Sequence, residues 1–303
     1  MNIAYSIICK ASRNSINYTG RGVGIAFLDT GIFPHKDFTY PFNRIVAFKD
    51  FVNHRRQMYD DNGHGTHISG ISAGNGVSLD GKYTGIAPES HLIIGKVLDY
   101  EGNGSIPSVL DGIRWIIKNK DLYKTRILNI SVGTKVNDPV EEDSILVQGV
   151  NEAWDSGLVV VVAAGNNGPE PMSVTAPGIS RKVITVGSSD DNKSIKINGG
   201  NMCNYSGRGP TRDCIIKPDV VAPGSSIMSC HNKKVLGQYT YTYRSGTSMA
   251  TPIVSGAIAL LLEKYPDIRN KEVKLKFKDS CDNLGRPRSQ QGWGQLNLLK
   301  LLS

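Results

Sequence analysis

Five stretches of this chain carry near-continuous runs of aliphatic, mostly β-branched residues: GVGIAFLDTG (22–31), HLIIGKVLD (91–99), RILNISVG (126–133), GLVVVVAAGNNG (157–168) and RKVITVGSSD (181–190). A strand that alternates apolar and polar residues has one wet face. An unbroken aliphatic run has none, so these five read as strands covered on both sides. Helical segments separate them, and strand–helix–strand repeats close as crossovers into a parallel sheet. The expected fold is α/β, a doubly wound, mostly parallel central sheet flanked by helices. Nearer the C-terminus, Ile253, Ile258, Leu261 and Leu262 recur at helical spacing within YRSGTSMATPIVSGAIALLLEKYP (243–266). DDNGHGTHISGISAG (60–74) reads as a glycine-rich loop turning into a helix through Ile68, Ile71 and Ala73.

In doubly wound sheets ligands gather at the carboxyl ends of the strands. Three of the expected strands end in polar or glycine-rich residues: Asp29-Thr30-Gly31, Ser131-Val132-Gly133 and Gly165-Asn166-Asn167-Gly168. The sheet reading places all three on one edge of the molecule.

Composition narrows the picture. With 303 residues, 39% hydrophobic and 20% charged, and with no linker, repeat or composition break, the whole of 1–303 is expected to form one domain. The formal charge is +8, but its lysines and arginines are scattered apart from short pairs such as Arg55-Arg56 and Lys233-Lys234. That spread argues for a solvated surface and against a nucleic-acid partner. No apolar run reaches membrane-spanning length, so no membrane partner is expected. The start, MNIAYSIICKASRNSINYTG, lacks the charged region, long apolar core and small-residue cleavage site of a signal peptide. Five cysteines (Cys9, Cys203, Cys214, Cys230 and Cys281) are irregularly spaced, without C-x-x-C pairs, which suggests neither a zinc site nor a complete disulfide framework. Reduced thiols and a cytoplasmic location are the simplest expectation.

Ser248 stands immediately ahead of the apolar stretch of 253–262 among Gly246, Thr247, Met249 and Ala250. It reads as a helix cap or as a nucleophile, and the second role needs a base, a group that orients the base, and oxyanion donors. Of six histidines, His64 and His67 lie three apart in one helix-forming segment. Zinc ligation would call for H-E-x-x-H, which is absent, so no metal is assigned to them. His64 is the better base because Gly63 and Gly65 let a ligand approach its backbone; His67 is read as a structural histidine. GTSMA resembles a nucleophile elbow, yet that fold needs a histidine after the serine, and none follows Ser248. What remains is the order Asp29, His64, Ser248. The glycines of TGRGVGIAFLD precede their strand, whereas a dinucleotide fingerprint must follow one, so that reading fails on position.

The segments AFLDTG, NGHGTHISG and SGTSMATP resemble the three signature motifs of the subtilisin-like serine peptidases, in the family's order and with its spacing. The resemblance spans about 18–298. GKYTGIAP (81–88) is similar to intracellular bacterial branches, and SGRGPTRDCIIKPDVVAPG (206–224) to bacterial and plant members. It implies a serine endopeptidase that needs no cofactor for its chemistry, working through Asp29, His64 and Ser248, with Asn166 of AAGNNG as oxyanion donor. It also implies that an extended peptide pairs with Gly102, Asn103 and Gly104 and with Ser131, Val132 and Gly133. The residue before the cut would enter a pocket walled by the Ser131–Gly133 segment, Ala163, Ala164, Gly165 and Gly178. Small walls imply broad preference with an apolar bias. Only 28 residues precede Asp29, so no pro-domain is expected here, in keeping either with an intracellular enzyme or with a secreted, processed form that begins at a cleavage site. The family often binds structural calcium. Asp37 falls where members place a ligand, with Asn75 and Asp80 as further oxygens, although the loop 72–85 lacks the usual form and Asp37 also reads as a surface aspartate. The competing function is a catalytically silent binding or scaffold protein that has kept the fold; an incomplete triad would mark it, and none of the three residues is missing. Oligomeric state has no signal in the sequence.

Overall fold

A computed structural model describes residues 16–133, 144–197 and 200–303; Cys9 lies outside them. Seven strands form the central sheet: β1 (Gly24–Asp29), β2 (Ile45–Asp50), β3 (His91–Lys96), β4 (Thr125–Ile130), β5 (Val159–Ala163), β6 (Ile184–Ser188) and β9 (Val220–Ala222). They run in the order β2-β3-β1-β4-β5-β6-β9, and every adjacent pair is parallel. The five aliphatic runs are β1, β3, β4, β5 and β6. The two edge strands escaped the sequence pattern: β2 (IVAFKD) has four apolar residues before Lys49 and Asp50 and is buried only at its two ends, and β9 is only three residues long. Two short antiparallel pairs stand outside the sheet, β7 (Ile195–Ile197) with β8 (Gly200–Met202), and β10 (Ile227–Val235) with β11 (Gln238–Arg244).

The β10–β11 ribbon has a readable cause. In QYTYTYR, tyrosines alternate with threonines at the strand period, and Leu236 and Gly237 turn the chain with φ of 50° and 80°. Two successive left-handed residues match the twist of an antiparallel pair.

Short α1 (Lys36–Thr39) follows β1, and helices α2 (His64–Ala73), α3 (Ile106–Asn119), α4 (Ile145–Asp155), α5 (Thr247–Lys264) and α6 (Asn270–Ser280) flank the sheet, α2 packing on α5 and α3 on α4. The apolar positions of α5 are not confined to a stripe: from Met249 to Leu262 every residue is buried, so the helix runs through the interior. Pro252 removes the amide that would bond the Ser248 carbonyl, a cost that burial on all sides offsets. No described helix is long and apolar enough to cross a membrane.

The strand order changes direction at β1, with β3 on one side and β4 on the other. Connections on either side of such a point diverge and leave a crevice at the strand ends. Register brings the polar ends level there. Asp29 faces Lys96 across β1–β3, while Phe27 faces Asn129 and Asn129 faces Val161, so that Asp29, Ser131 and Ala163 sit at the same edge, two residues further on.

Candidate active site

Asp29 ends β1 and is fully buried. Its Oδ1 accepts the Thr30 amide at 2.8 Å and lies 2.8 Å from His64 Nδ1. Gly31 lets the chain turn away at once: its φ is 110°, and a Cβ there would stand 2.2 Å from the Tyr59 carbonyl oxygen. Gly65 packs against this turn so closely that a Cβ would fall 2.2 Å from the Gly31 carbonyl oxygen. Strand end and helix start are thereby held in contact, which carries the His64 ring to the Asp29 carboxylate.

The start of α2 is organised by Asp60, a residue the sequence reading passed over. Its Oδ1 accepts from Thr30 Oγ1 (2.9 Å) and the Gly63 amide (2.7 Å), and its Oδ2 from the Thr66 amide (2.8 Å) and Thr66 Oγ1 (2.5 Å). A carboxylate on the free amides of a first turn both caps the helix and suits its positive end. An acidic residue just before a helix start was the available signal. Lys96, also unforeseen, is fully buried at the end of β3 and donates to the carbonyls of Thr30 and Leu98 and to Asp61 Oδ1, each at 2.7–2.8 Å. It ties the turn after Asp29 to the loop that leads into α2.

His67 points away from this centre. Buried, it lies with Nε2 3.1 Å from the Ile227 carbonyl and 3.0 Å from that of Thr242, so Nε2–H donates to both. Burial, with the Arg244 and His64 charges, lowers its pKa to about 3, so it is a neutral strut between α2 and the ribbon.

Ser248 is the second residue of α5 and does not cap it. The cap position is Gly246, with φ 138° and no side-chain cap bond; this corrects the capping alternative. Ser248 Oγ–H instead donates to the Ser131 carbonyl at 2.7 Å, and no hydrogen bond joins it to His64 among the described residues. Ser131 is set in turn by Asn129, fully buried, whose Nδ2 donates to Ser131 Oγ at 2.9 Å while its Oδ1 accepts Ser255 Oγ of α5 at 2.9 Å. Across the cleft, Asn166 Oδ1 accepts both the Thr247 amide (3.0 Å) and Thr247 Oγ1 (3.1 Å). An amide held by its oxygen presents its nitrogen, so Nδ2 is the half free to donate beside Ser248.

A cleft of about 380 Å³ gathers His64, Ser248, Asn166, Ser131, Val132 and Gly133, together with Gly102, Ala163 and Gly165. Asn103 and Gly104 line an adjoining apolar hollow of about 340 Å³, with Leu98, Val132, Leu146 and Pro177. Two expected wall residues are not at the cleft surface. Ala164 is fully buried, with its carbonyl taken by the Thr175 amide, and Gly178 is closed into a turn by a 2.7 Å bond to the Thr175 carbonyl. Thr175 lines the cleft in their place, its Oγ1 only 2.2 Å and 2.5 Å from where Cβ atoms on Gly133 and Gly165 would stand. Those two glycines leave room for it; no local pattern announced the threonine, because its segment crosses from a distant loop. Asn62, Glu101 and Arg244 add a polar rim.

The residues expected by resemblance to hold calcium do not form an oxygen cage: Asp37 stands instead with His35 and Cys230, a nitrogen and a sulfur ligand, within 4.8 Å of one another. Asp37 is fully buried rather than at the surface, its Oδ1 accepting the Ser78 amide (3.0 Å) and its Oδ2 the Tyr241 hydroxyl (2.7 Å) and the Cys230 thiol (3.6 Å). Burial raises its pKa, but hydrogen bonds and charge from His35, with those of Tyr241 and Ser78, outweigh it and bring it to about 2. Asn75 Oδ1 accepts the Val77 amide, and Asp80 sits exposed at φ 48°. The Asp37 and Asn75 oxygens are turned to protein donors, whereas a calcium cage needs six to eight oxygens converging on one point. Cys203, Cys214, Cys230 and Cys281 are free thiols.

Comparison with known proteins accords with this geometry. A family profile described as "Subtilase family" matches residues 20–294. "Serine protease AprX" of Bacillus subtilis (strain 168) is 42% identical over 285 residues, covering 89% of this chain and 63% of the relative, so the chain spans less than two thirds of that protein. "Subtilisin DY" of Bacillus licheniformis is 34% identical over 273 residues, covering 88% and 86%. Among solved structures, "S41 Psychrophilic Protease" superposes with a TM-score of 0.80 at 27% identity, over 98% of this chain and 97% of that one. A profile that runs from before the strand carrying Asp29 to beyond the helix carrying Ser248 takes in the whole site, and the chain belongs to the subtilase family.

Proposed function

We propose that this chain is a serine endopeptidase that hydrolyses peptide bonds through Asp29, His64 and Ser248. The observation that carries the reading is the 2.8 Å contact of His64 Nδ1 with the buried Asp29 carboxylate, in the cleft that also holds Ser248. Ser248 attacks the scissile carbonyl while His64 Nε2 takes its proton; the bond between carbonyl carbon and amine nitrogen then breaks as His64 returns that proton to the leaving amine. Water, activated by the same imidazole, releases the acyl group from Ser248. Asp29 holds the ring in the productive tautomer and stabilises the imidazolium. The negative oxygen of the tetrahedral intermediate receives hydrogen bonds from Asn166 Nδ2 and the Ser248 amide at the start of α5.

Substrate binds as an extended strand, pairing with the segments 102–104 and 131–133. The side chain before the cut enters between Gly133, Gly165 and Thr175, and an earlier one reaches the apolar hollow beside Leu98 and Leu146. Broad specificity with an apolar bias follows from that lining.

One observation favours the alternative, a silent binding protein: Ser248 Oγ is engaged by the Ser131 carbonyl and not by His64. The enzyme reading requires that bond to open as substrate arrives. A fluorophosphonate probe decides between the two. Stoichiometric labelling of the folded protein, lost in Ser248→Ala together with peptide cleavage, supports the enzyme; a folded wild type that takes no label overturns it.

A further inference from the structure

Arg244 ends β11 four residues before Ser248 and lines the cleft. Its Nη2 donates to the Asn62 carbonyl at 3.0 Å, while Asn62 Oδ1 accepts the His64 backbone amide at 3.1 Å. The guanidinium is thus held one residue away from His64. Among the described residues no carboxylate pairs with it, and that single bond is its only contact with a protein acceptor. Asp60 is committed to the start of α2 and Asp61 to Lys96, while Glu101 lines the same cleft and accepts Asn103 Nδ2 at 3.2 Å rather than the guanidinium. Its charge is felt inside the fold, where it adds to the burial that lowers the pKa of His67 and, with Lys233, of His231.

Resting on the peptidase reading, the two halves of the cleft can be told apart. Asn166, Ser131–Gly133 and Thr175 surround the acyl half. His64 delivers its proton to the departing amine, so the leaving chain passes the His64 side, where Asn62 and Arg244 stand. From this juxtaposition we propose that Arg244 is a specificity residue, selecting peptides with an acidic side chain in the first or second position after the cut. Four N–H groups of its planar fork remain for a carboxylate, and they bind it in paired fashion. A lysine at the same positions meets the like charge instead.

The test uses peptides identical except for Asp, Glu, Ala or Lys at each of those two positions, at low and high salt. Wild type is expected to favour the acidic over the lysine peptide by about tenfold in kcat/KM, the scale of one charge-assisted pair at a part-exposed site, and to lose most of this at high salt. Arg244→Ala should bring the ratio close to one, Arg244→Lys keep its direction, and Arg244→Glu invert it. Equal rates for acidic and lysine peptides in wild type, or a preference that persists in Arg244→Ala, overturns the proposal. Cleavage of the alanine peptide separates the outcomes: if it proceeds without an acidic preference, only the role of Arg244 falls, and if no peptide is cut the peptidase reading falls with it.

Discussion

At the residue scale the argument turns on how each side chain is held. Asn166 is fixed by its oxygen to Thr247, so the direction of its Nδ2 is set before any substrate arrives. In the proposed reaction, a donor fixed in this way would stabilise the oxyanion without having to reorganise. Asn166→Ala is expected to lower kcat by about 10² to 10³, the loss known for the equivalent donor of subtilisin itself, with little change in KM. Steady-state kinetics on a folded variant checks this; a rise in KM with kcat unchanged would reassign Asn166 to substrate binding. The residues gathered in this cleft were legible in the sequence because Asp29, His64 and Ser248 each sit in a small-residue context at an element end. The partner of Ser248 Oγ was not, since the Ser131 carbonyl is a backbone group brought in by a different strand.

At the element scale, α2 and the end of β1 behave as one unit. Asp60 holds both, through Thr30 on one side and the Gly63 and Thr66 amides on the other. Asp60→Ala strands these donors near the base of the cleft, and a loss of about 2 to 4 kcal/mol in unfolding free energy is expected, together with a fall in kcat as His64 loses its seat. Denaturant titration beside kinetics tests it, and an unchanged midpoint would remove Asp60 from the scaffold. The strands were legible wherever burial on both faces left an aliphatic run. The edges β2 and β9 were not, because the apolar run of each is short; nor were the roles of Lys96 and Asn129, buried polar residues beside aliphatic ones, which depend on groups brought in by other elements.

For the whole molecule, two buried groups link stability to acid. His67 has a folded pKa of about 3, below the ordinary histidine value of about 6.5, so it stays neutral in the fold while the unfolded chain takes up a proton. Its contribution is present above about pH 6.5 and is lost as pH falls toward 3, at up to about 1.4 kcal/mol per pH unit. Asp37, held at about 2, adds a second loss as pH falls below the ordinary carboxylate range of about 3.9. Unfolding midpoints measured from pH 7 to 3 should therefore decline first through the histidine window, and His67→Gln should flatten that portion while leaving the carboxylate portion. A flat midpoint between pH 6.5 and 4 in wild type would show that His67 is not buried neutral.

The sequence by itself determined the parallel sheet, the helix that follows Ser248 and the family to which the chain belongs. Each of these is written locally: burial in the run of side chains, chemistry in the residue type at a strand or helix end. Only the tertiary structure decided which groups meet. It made His67 a strut, took Asp37 into a network of protein donors where a cation was expected, put Thr175 where Gly178 and Ala164 had been expected, and set Arg244 beside His64. Hydrogen-bond partners in a doubly wound fold come from segments far apart in the chain, and their meeting is fixed by sheet order and register, which no local window contains.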